Sequence, residues 1–349
     1  MHKTAGRLSE LDALRGIAAS AVVLFHLTKR YFDDYGRPDG AIPAFPIEGM
    51  QGVFLFFVLS GFVISMTLER TRSRRDFARA RFSRIFPAYW AAVALTFAVV
   101  HGLGLPGREV SLPVALFNLT LLQAYVGVAN VDGVYWSLAA ELSFYCVAYA
   151  LHARGWLWQR PHRVAWIWLG YCAAHALAHR LLGATLRDAI AWLTLARFAP
   201  LFIAGMMFYR LFSGWRTRET HAVIAAAFVL HNLIQWEGKA QLPCTLLTFA
   251  CFYGVAYGRL SFIAARPLLW LGAISYPLYL VHDNVGMAVM RKLTALGVPY
   301  NAALPLVIAL VVLLAAAISA AIERPALRAL RAPARRGLPA ARVLLTPPP

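Results

Sequence analysis

Charge is scarce in this chain. Of 349 residues only 14% are Asp, Glu, Lys or Arg, and acids are the rarer sign: 16 against 34 Lys and Arg, a formal net charge of +18. Cysteine is rare as well. Cys146, Cys172, Cys244 and Cys251 all stand inside apolar runs, where they read as small buried apolar residues rather than a disulfide framework or a metal site. The first apolar run lacks the uncharged centre of a cleavable signal peptide, since Asp12, Arg15 and His26 interrupt it, so no such peptide is expected. Polar sequence for a soluble domain is missing too. Apolar residues make up 60% of the chain, against about 45 to 50% for soluble proteins even with glycine counted, which excludes a soluble globular fold. The basic excess does not point to nucleic acid, because Lys and Arg fall in short clusters between long apolar runs instead of forming one phosphate-binding face.

What is present is hydrophobic sequence in membrane-length pieces. A transmembrane helix needs about 20 apolar residues. Stretches bounded by charge, Gly or Pro predict an all-α integral membrane protein with ten spans, near 11–29, 50–68, 86–103, 134–152, 164–182, 190–210, 221–236, 242–258, 267–285 and 302–322. Segment 112–128 is long enough to be an eleventh, but it carries Asn118, Thr120 and Gln123. Treated as re-entrant or interfacial, it leaves 24 Lys and Arg in the loops on one side and 9 on the other, which puts both termini in the cytoplasm. Treated as a span, it sends the basic stretch from Arg154 to Arg163 outside. Residues 1–332 then form one polytopic domain, and 333–349, arginine-bearing and ending in three prolines, read as a disordered basic tail. No period of 20 to 50 residues and no match between halves marks a repeat architecture.

Ionisable groups within spans are expensive, about 2.5 to 3.5 kcal/mol for Arg, Lys or Asp on insertion scales, so they face cavities or one another. The set is Asp12, Arg15, His26, Glu141, Arg197, His282 and Asp283, with His175 and His179 near a span end. Arg15 and His26 are eleven residues apart, roughly 16 Å and three helical turns, so they share a face. A cation at the mouth and a base deep within suit a channel for an anionic, long-armed substrate. The topology brings His26, Glu141 and His282 to one depth. His175 and His179 stand four apart but have no matching third ligand, so no metal is expected. The arginines from Arg70 to Arg84 are, on composition alone, what any cytoplasmic loop beside a membrane carries.

Six segments in order carry a family resemblance: LDALRGIAASAVVLFH with Arg15 and His26, GVFLFFVLSGFVIS at 52–65, ARARFSRIFPAYW at 78–90, NLTLLQ at 118–123, VYWSLAAELSFY at 134–145 and SYPLYLVH at 275–282. Over nearly its whole length the chain resembles acyltransferase family 3, the bacterial membrane enzymes that O-acetylate surface and exported glycans. The resemblance implies an inner-membrane O-acyltransferase that takes an acyl group, acetyl by analogy, from cytoplasmic acyl-CoA to a hydroxyl at the far side or within the bilayer. It matches Arg15 and His26 to the family's Arg-x10-His motif, Arg81 and Arg84 to its arginine pair, and Glu141 to the acid of Trp-Ser-Leu-x-x-Glu. Phe54 departs from the pattern, standing where many members carry a polar residue. With a short basic tail after the last span, the resemblance is to the stand-alone form, in which no periplasmic hydrolase-like domain is expected. The acceptor it implies is a surface or exported polysaccharide, with a macrolide or other small molecule as the alternative.

On that resemblance His26 is the expected general base, a role typically worth 10² to 10⁴ in rate. Glu141 or Asp283 is expected to fix its tautomer. Arg15, Arg81 and Arg84 are expected to hold the CoA phosphates, which guanidinium forks match. Ser60, Arg197, Tyr276, Tyr279 and His282 are supporting candidates as oxyanion or acceptor-hydroxyl donors or as neighbours of the base. Direct transfer and a covalent acyl-His26 intermediate both fit these residues. The competing class is a transporter or flippase of a lipid-linked glycan, whose charges serve as substrate or proton sites and whose turnover needs no acetyl-CoA.

Overall fold

The computed structural model describes residues 8–71, 73–182, 188–236 and 238–330, so the tail expected at 333–349 lies outside the described residues. Among the described residues all regular structure is helical. Hydrocarbon offers no hydrogen bonds, and a helix pairs its own backbone N–H and C=O groups. Helix α1 (Ser9–Phe25) passes through a π-turn (His26–Arg30) into α2 (Tyr31–Tyr35). Then come α3 (Gly49–Arg70), α4 (Arg74–Leu103), the short α5 (Leu112–Asn118) and α6 (Gln123–Val126), and α7 (Trp136–Ala153). A brief α8 (Trp156–Gln159) leads to α9 (Pro161–Leu182), α10 (Asp188–Thr194) and α11 (Ala199–Phe212). The remainder is α12 (Arg218–Ile234), α13 (Gln241–Ala256), α14 (Arg266–Val281), α15 (Asn284–Ala295), α16 (Tyr300–Ile318), a second π-turn (Ser319–Glu323) and α17 (Arg324–Leu330).

Helix occupies each of the ten expected spans. Among the described residues six helical stretches are long and apolar enough to cross a membrane: Ser9–Tyr35, Gly49–Arg70, Arg75–Leu103, Gly133–Ala153, Ile190–Phe212 and Tyr300–Leu330. The other four, α9, α12, α13 and α14, are shorter or more polar. The outside of the bundle is apolar: Ile167, Leu181, Leu233 and Leu247 are each at least 65% exposed, a distribution that water penalises and lipid does not. Cys146, expected buried, is exposed on it.

Segment 112–128 does not form one helix. Helices α5 and α6 hold seven and four residues, far too few to cross at 1.5 Å per residue. Its polar residues tie the break. The Asn118 amide donates to the Val114 and Ala129 carbonyls and accepts from the Val131 N–H, while Gln123 donates to Asn130 and to the Tyr89 hydroxyl of α4. Two other stretches depart from the expected spans. The span expected at 190–210 breaks between α10 and α11, where Leu195 takes a left-handed φ of 57°, so Arg197 stands exposed on a turn rather than inside a helix. Helix α14 stops at Val281, Asp283 leaves the helical region (φ −77°, ψ −84°), and the loop expected at 284–301 begins instead with α15.

Helix α1 lies along α14 and α3, and α3 crosses α11. With no hydrophobic drive between helices in lipid, close packing of small residues takes its place. A Cβ on Gly272 would run into the Asp12 carbonyl of α1, and one on Gly205 of α11 into the Val58 carbonyl of α3. Gly272→Val is therefore expected to part α1 from α14, costing about 1–3 kcal/mol or more by overpacking. The check is the thermal unfolding midpoint in detergent, and an unchanged midpoint refutes the close approach.

Candidate active site

Six elements, α1, α3, α4, α7, α14 and the turn into α17, enclose a cavity of about 740 Å³. Arg15, Arg81, Arg84 and Arg324 line it, so the expected arginine set is gathered in one place. These arginines are not equivalent. Arg15 Nη1 is 2.9 Å from Asp12 Oδ1, and Arg84 is paired with Glu323, whose carboxylate also accepts from the Ser319 hydroxyl at 3.0 Å. Arg81 and Arg324 make no ion pair among the described residues. The Arg81 guanidinium lies 5.5 Å from the Tyr145 ring centroid and 5.7 Å from that of Phe77, and its Nε has no hydrogen-bond partner.

The wall of the same cavity carries Glu141, which accepts from the Ser60 hydroxyl at 3.0 Å and from the Tyr145 hydroxyl one turn along α7. Tyr276 donates to the Ile85 carbonyl at 2.7 Å, its ring covered by Arg84 at 5.5 Å. Deeper in, the hydroxyls of Tyr279 and Ser137 are 2.7 Å apart. Ser60 and Tyr276 thus have their hydroxyl protons committed to protein acceptors.

Past Tyr279 lies a histidine pair. The His26 ring, at the start of the first π-turn, sits 4.8 Å from that of His282, edge to face, and Tyr279 is 5.6 Å from His282. π-turns inside helices recur at functional sites because they re-aim a side chain. The carbonyl this one frees, on Leu27, accepts from the Tyr300 hydroxyl at 2.7 Å. His26 Nδ1 is 2.8 Å from the Val22 carbonyl oxygen, and His282 Nδ1 is 2.9 Å from that of Tyr279. A carbonyl only accepts, so in the neutral pair both Nδ1 atoms carry the proton. His282 Nε2 then turns its lone pair to the His26 Nδ1–H at 3.3 Å, and His26 Nε2 keeps a free lone pair. His282 is fully buried while His26 is half-buried, so the accessible edge of the pair belongs to His26.

This arrangement corrects one expectation. The bonds of Glu141 are to Ser60 and Tyr145 in the cavity wall. Neither Glu141 nor Asp283 fixes the His26 tautomer, which the Val22 carbonyl does from within the same helix. Asp283 instead lies 4.0 Å from Arg108, which is bonded to Asp34 at 2.5 Å. Asp132 caps its own turn and accepts from the Asn284 N–H at 3.1 Å. Arg197 lines a different, smaller cavity. His175 and His179 stay apart from both cavities, and no cluster of three or more potential metal ligands exists among the described residues. Sequence reading passed over Glu323, Arg324 and Tyr145. Glu323 had a usable signal, as an acid closing the last long apolar run.

Membrane-length helices around an arginine-lined cavity that leads toward a buried histidine pair match a known class. A family model described as an acyltransferase domain, that of acyltransferase family 3, matches residues 8–324. The chain is 26% identical over 312 residues to acyltransferase MdmB of Streptomyces mycarofaciens, a match covering 80% of this chain and 79% of that one. Over 97 residues, 28% of this chain and 27% of the relative, it is 33% identical to an O-acetyl transferase of Shigella phage Sf6. No solved structure matches it. The chain belongs to acyltransferase family 3 and is a membrane O-acyltransferase.

Proposed function

We propose that the protein transfers an acetyl group from cytoplasmic acetyl-CoA to a hydroxyl of a surface or exported polysaccharide, in the inner membrane of a bacterium. Ten spans with a re-entrant 112–128 and both termini in the cytoplasm put the arginine-lined mouth on the side where acetyl-CoA is made. The observation that carries the reading is the cavity itself: arginines at one end, two of them without a carboxylate partner among the described residues, and tyrosine hydroxyls toward the histidine pair at the other. Arg81 and Arg324, with Arg15 and Arg84, hold the phosphates of the donor, because guanidinium forks bind phosphate oxygens bidentately. His26 Nε2 takes the acceptor hydroxyl proton as the hydroxyl oxygen attacks the thioester carbonyl. The carbon–sulfur bond then breaks, and the CoA thiolate leaves with the proton that His26 returns. His282 positions His26 by accepting from its Nδ1–H, and it shares the charge of the imidazolium formed in transit.

The test uses membrane vesicles of both orientations. Inside-out vesicles holding the protein are expected to release free CoA thiol from added acetyl-CoA and to label glycan, while right-side-out vesicles leave it untouched. Consumption only by right-side-out vesicles overturns the orientation. Glycan movement without acetyl-CoA consumption favours a flippase.

A further inference from the structure

The larger cavity changes character with depth along α7. Near its mouth the Arg81 guanidinium covers the Tyr145 ring at 5.5 Å; one turn further in stands Glu141, and one turn beyond that Ser137, bonded to Tyr279 at 2.7 Å. Four residues of helix rise about 6 Å, so Glu141 lies past the arginines and about one turn short of the hydroxyls beside the histidine pair. On another side the deep end is closed by a layer of rings: Phe57 of its lining lies 6.2 Å from Trp136 and 5.3 Å from Phe198. Trp136 and Phe198 line the smaller cavity, of about 310 Å³, which Met50, Trp192 and Gln235 also bound.

Glu141 is out of place in a cavity built for phosphate. A carboxylate repels phosphate, yet this one stands in a lining with four arginines and, among the described residues, pairs with none of them. Its own bonds give it a direction. Ser60, at 3.0 Å, and Tyr145 both donate to Oε1. Oε2 is left with no hydrogen bond among the described residues, and it is open to the cavity rather than sealed in the wall. A carboxylate oxygen only accepts, so a ligand group that meets Oε2 brings an N–H or O–H. The phosphates of the donor bring neither. The hydroxyls around it are already committed, those of Ser60 and Tyr145 to Oε1 and that of Tyr276 to the Ile85 carbonyl.

We propose that Glu141 Oε2 accepts the N–H of the pantetheine amide nearer the donor's sulfur, and so sets how far the thioester reaches toward His26. The inference rests on the reading of the donor as acyl-CoA, and it gives Glu141 a binding role in place of the tautomer role expected from sequence. The pantetheine arm is uncharged, and its N–H groups are two amides. Depth selects between them. The nearer amide is separated from the sulfur by two methylene groups, which matches the single turn between Glu141 and Ser137, whereas the second amide lies further back, toward Tyr145 and the arginines. A hydrogen bond to an ionised acceptor is about twice as strong as a neutral one, and the apolar side chains of Val53, Phe56 and Leu138 in the same lining favour it further. The arm is long and flexible, so a bond that fixes its register brings the thioester carbonyl into reacting distance and acts on rate as well as on affinity.

The test compares acetyl-CoA with an analogue in which an ester oxygen replaces that amide N–H, leaving the phosphates, the sulfur and the length of the arm as they are. Release of free thiol by inside-out vesicles holding the protein is the readout, expressed as kcat/KM. The wild type is expected to prefer acetyl-CoA by about tenfold or more, the value of a hydrogen bond to a charged group. Glu141→Gln keeps an oxygen for Ser60 and Tyr145 while turning an NH2 group toward the arm, and Glu141→Leu removes the acceptor altogether. Both are expected to lose about tenfold or more on acetyl-CoA and to bring the two substrates within about twofold of each other. Where a variant turns over too slowly, binding of CoA and of its ester analogue to the purified protein, read as the rise in unfolding temperature, gives the same comparison. Arg81→Ala should instead lose on both substrates alike and keep the preference, which a general loss of donor binding also does. A wild type that uses both substrates equally, or Glu141 variants that keep the wild-type preference, overturn the contact and leave the donor reading standing. No thiol released from acetyl-CoA by the wild type overturns the donor reading itself, and the contact with it.

Discussion

Replacing His26 by alanine is expected to lower acyl transfer 10²- to 10⁴-fold, the range a general base supplies, with the protein still folded. The tautomer makes this expectation sharp. With Nδ1–H committed to the Val22 carbonyl and His282, the catalytic lone pair is on Nε2, on the partly accessible edge of the ring. The substitution also leaves His282 Nε2 without its donor inside the bundle, a cost of about 1–3 kcal/mol for an unsatisfied buried group. A modest fall in unfolding temperature should therefore accompany the loss of activity. His282→Gln separates the two effects. Acting through His26, it is expected to cost less rate than His26→Ala and to move the pH profile of the turnover number. Activity within a few-fold of wild type for His26→Ala, at matched membrane levels, ends the role of His26 as base.

The second large effect divides two arginines that stand one helical turn apart. Arg81 has no carboxylate partner among the described residues, so Arg81→Ala removes a free phosphate donor: the KM for acetyl-CoA is expected to rise about tenfold to a hundredfold, the value of a charged hydrogen bond, with stability unchanged. Arg84 is bonded to Glu323, whose side chain is only 2% exposed. Arg84→Ala strands that carboxylate and is expected to cost about 3–5 kcal/mol of stability as well as donor affinity. The double variant Arg84→Gln with Glu323→Gln should recover most of the stability and little of the affinity. Thermal unfolding in detergent and the KM for acetyl-CoA, measured on the same preparations, read the two quantities separately. Equal destabilisation by Arg81→Ala and Arg84→Ala would refute the division.

The sequence made the frame legible because membrane spans are written in runs of one property. Helix enters each expected span, but 190–210 is broken at Leu195, 267–285 stops at Val281, and six stretches among the described residues are long and apolar enough to cross a membrane; Asn118 and Gln123 marked 112–128 as a stretch that does not run through as a helix. The family resemblance grouped Arg15, Arg81 and Arg84, which line one cavity, and the topology put His26 and His282 toward the same end. Their division of labour was not, because it depends on partners far along the chain: Glu323 is 239 residues from Arg84. The tautomer was hidden for another reason. A backbone carbonyl fixes it, and every residue has one, so Val22 gives no signal. The turn at Arg197 follows from one left-handed residue, Leu195, of a type that seldom takes that conformation. The second cavity is assembled from residues such as Met50, Trp192 and Gln235, each unremarked alone.

The layer of Phe57, Trp136 and Phe198 has a consequence for the cell as well as for the reaction. One cavity lies on each side of it, Phe57 lining the larger and Trp136 and Phe198 the smaller, and a membrane potential drives protons toward any place where the apolar path is short. The three rings pack against one another and carry no hydroxyl, carboxylate or imidazole, so the layer offers a proton nothing to hop along from one cavity to the other and keeps the membrane potential from discharging through it.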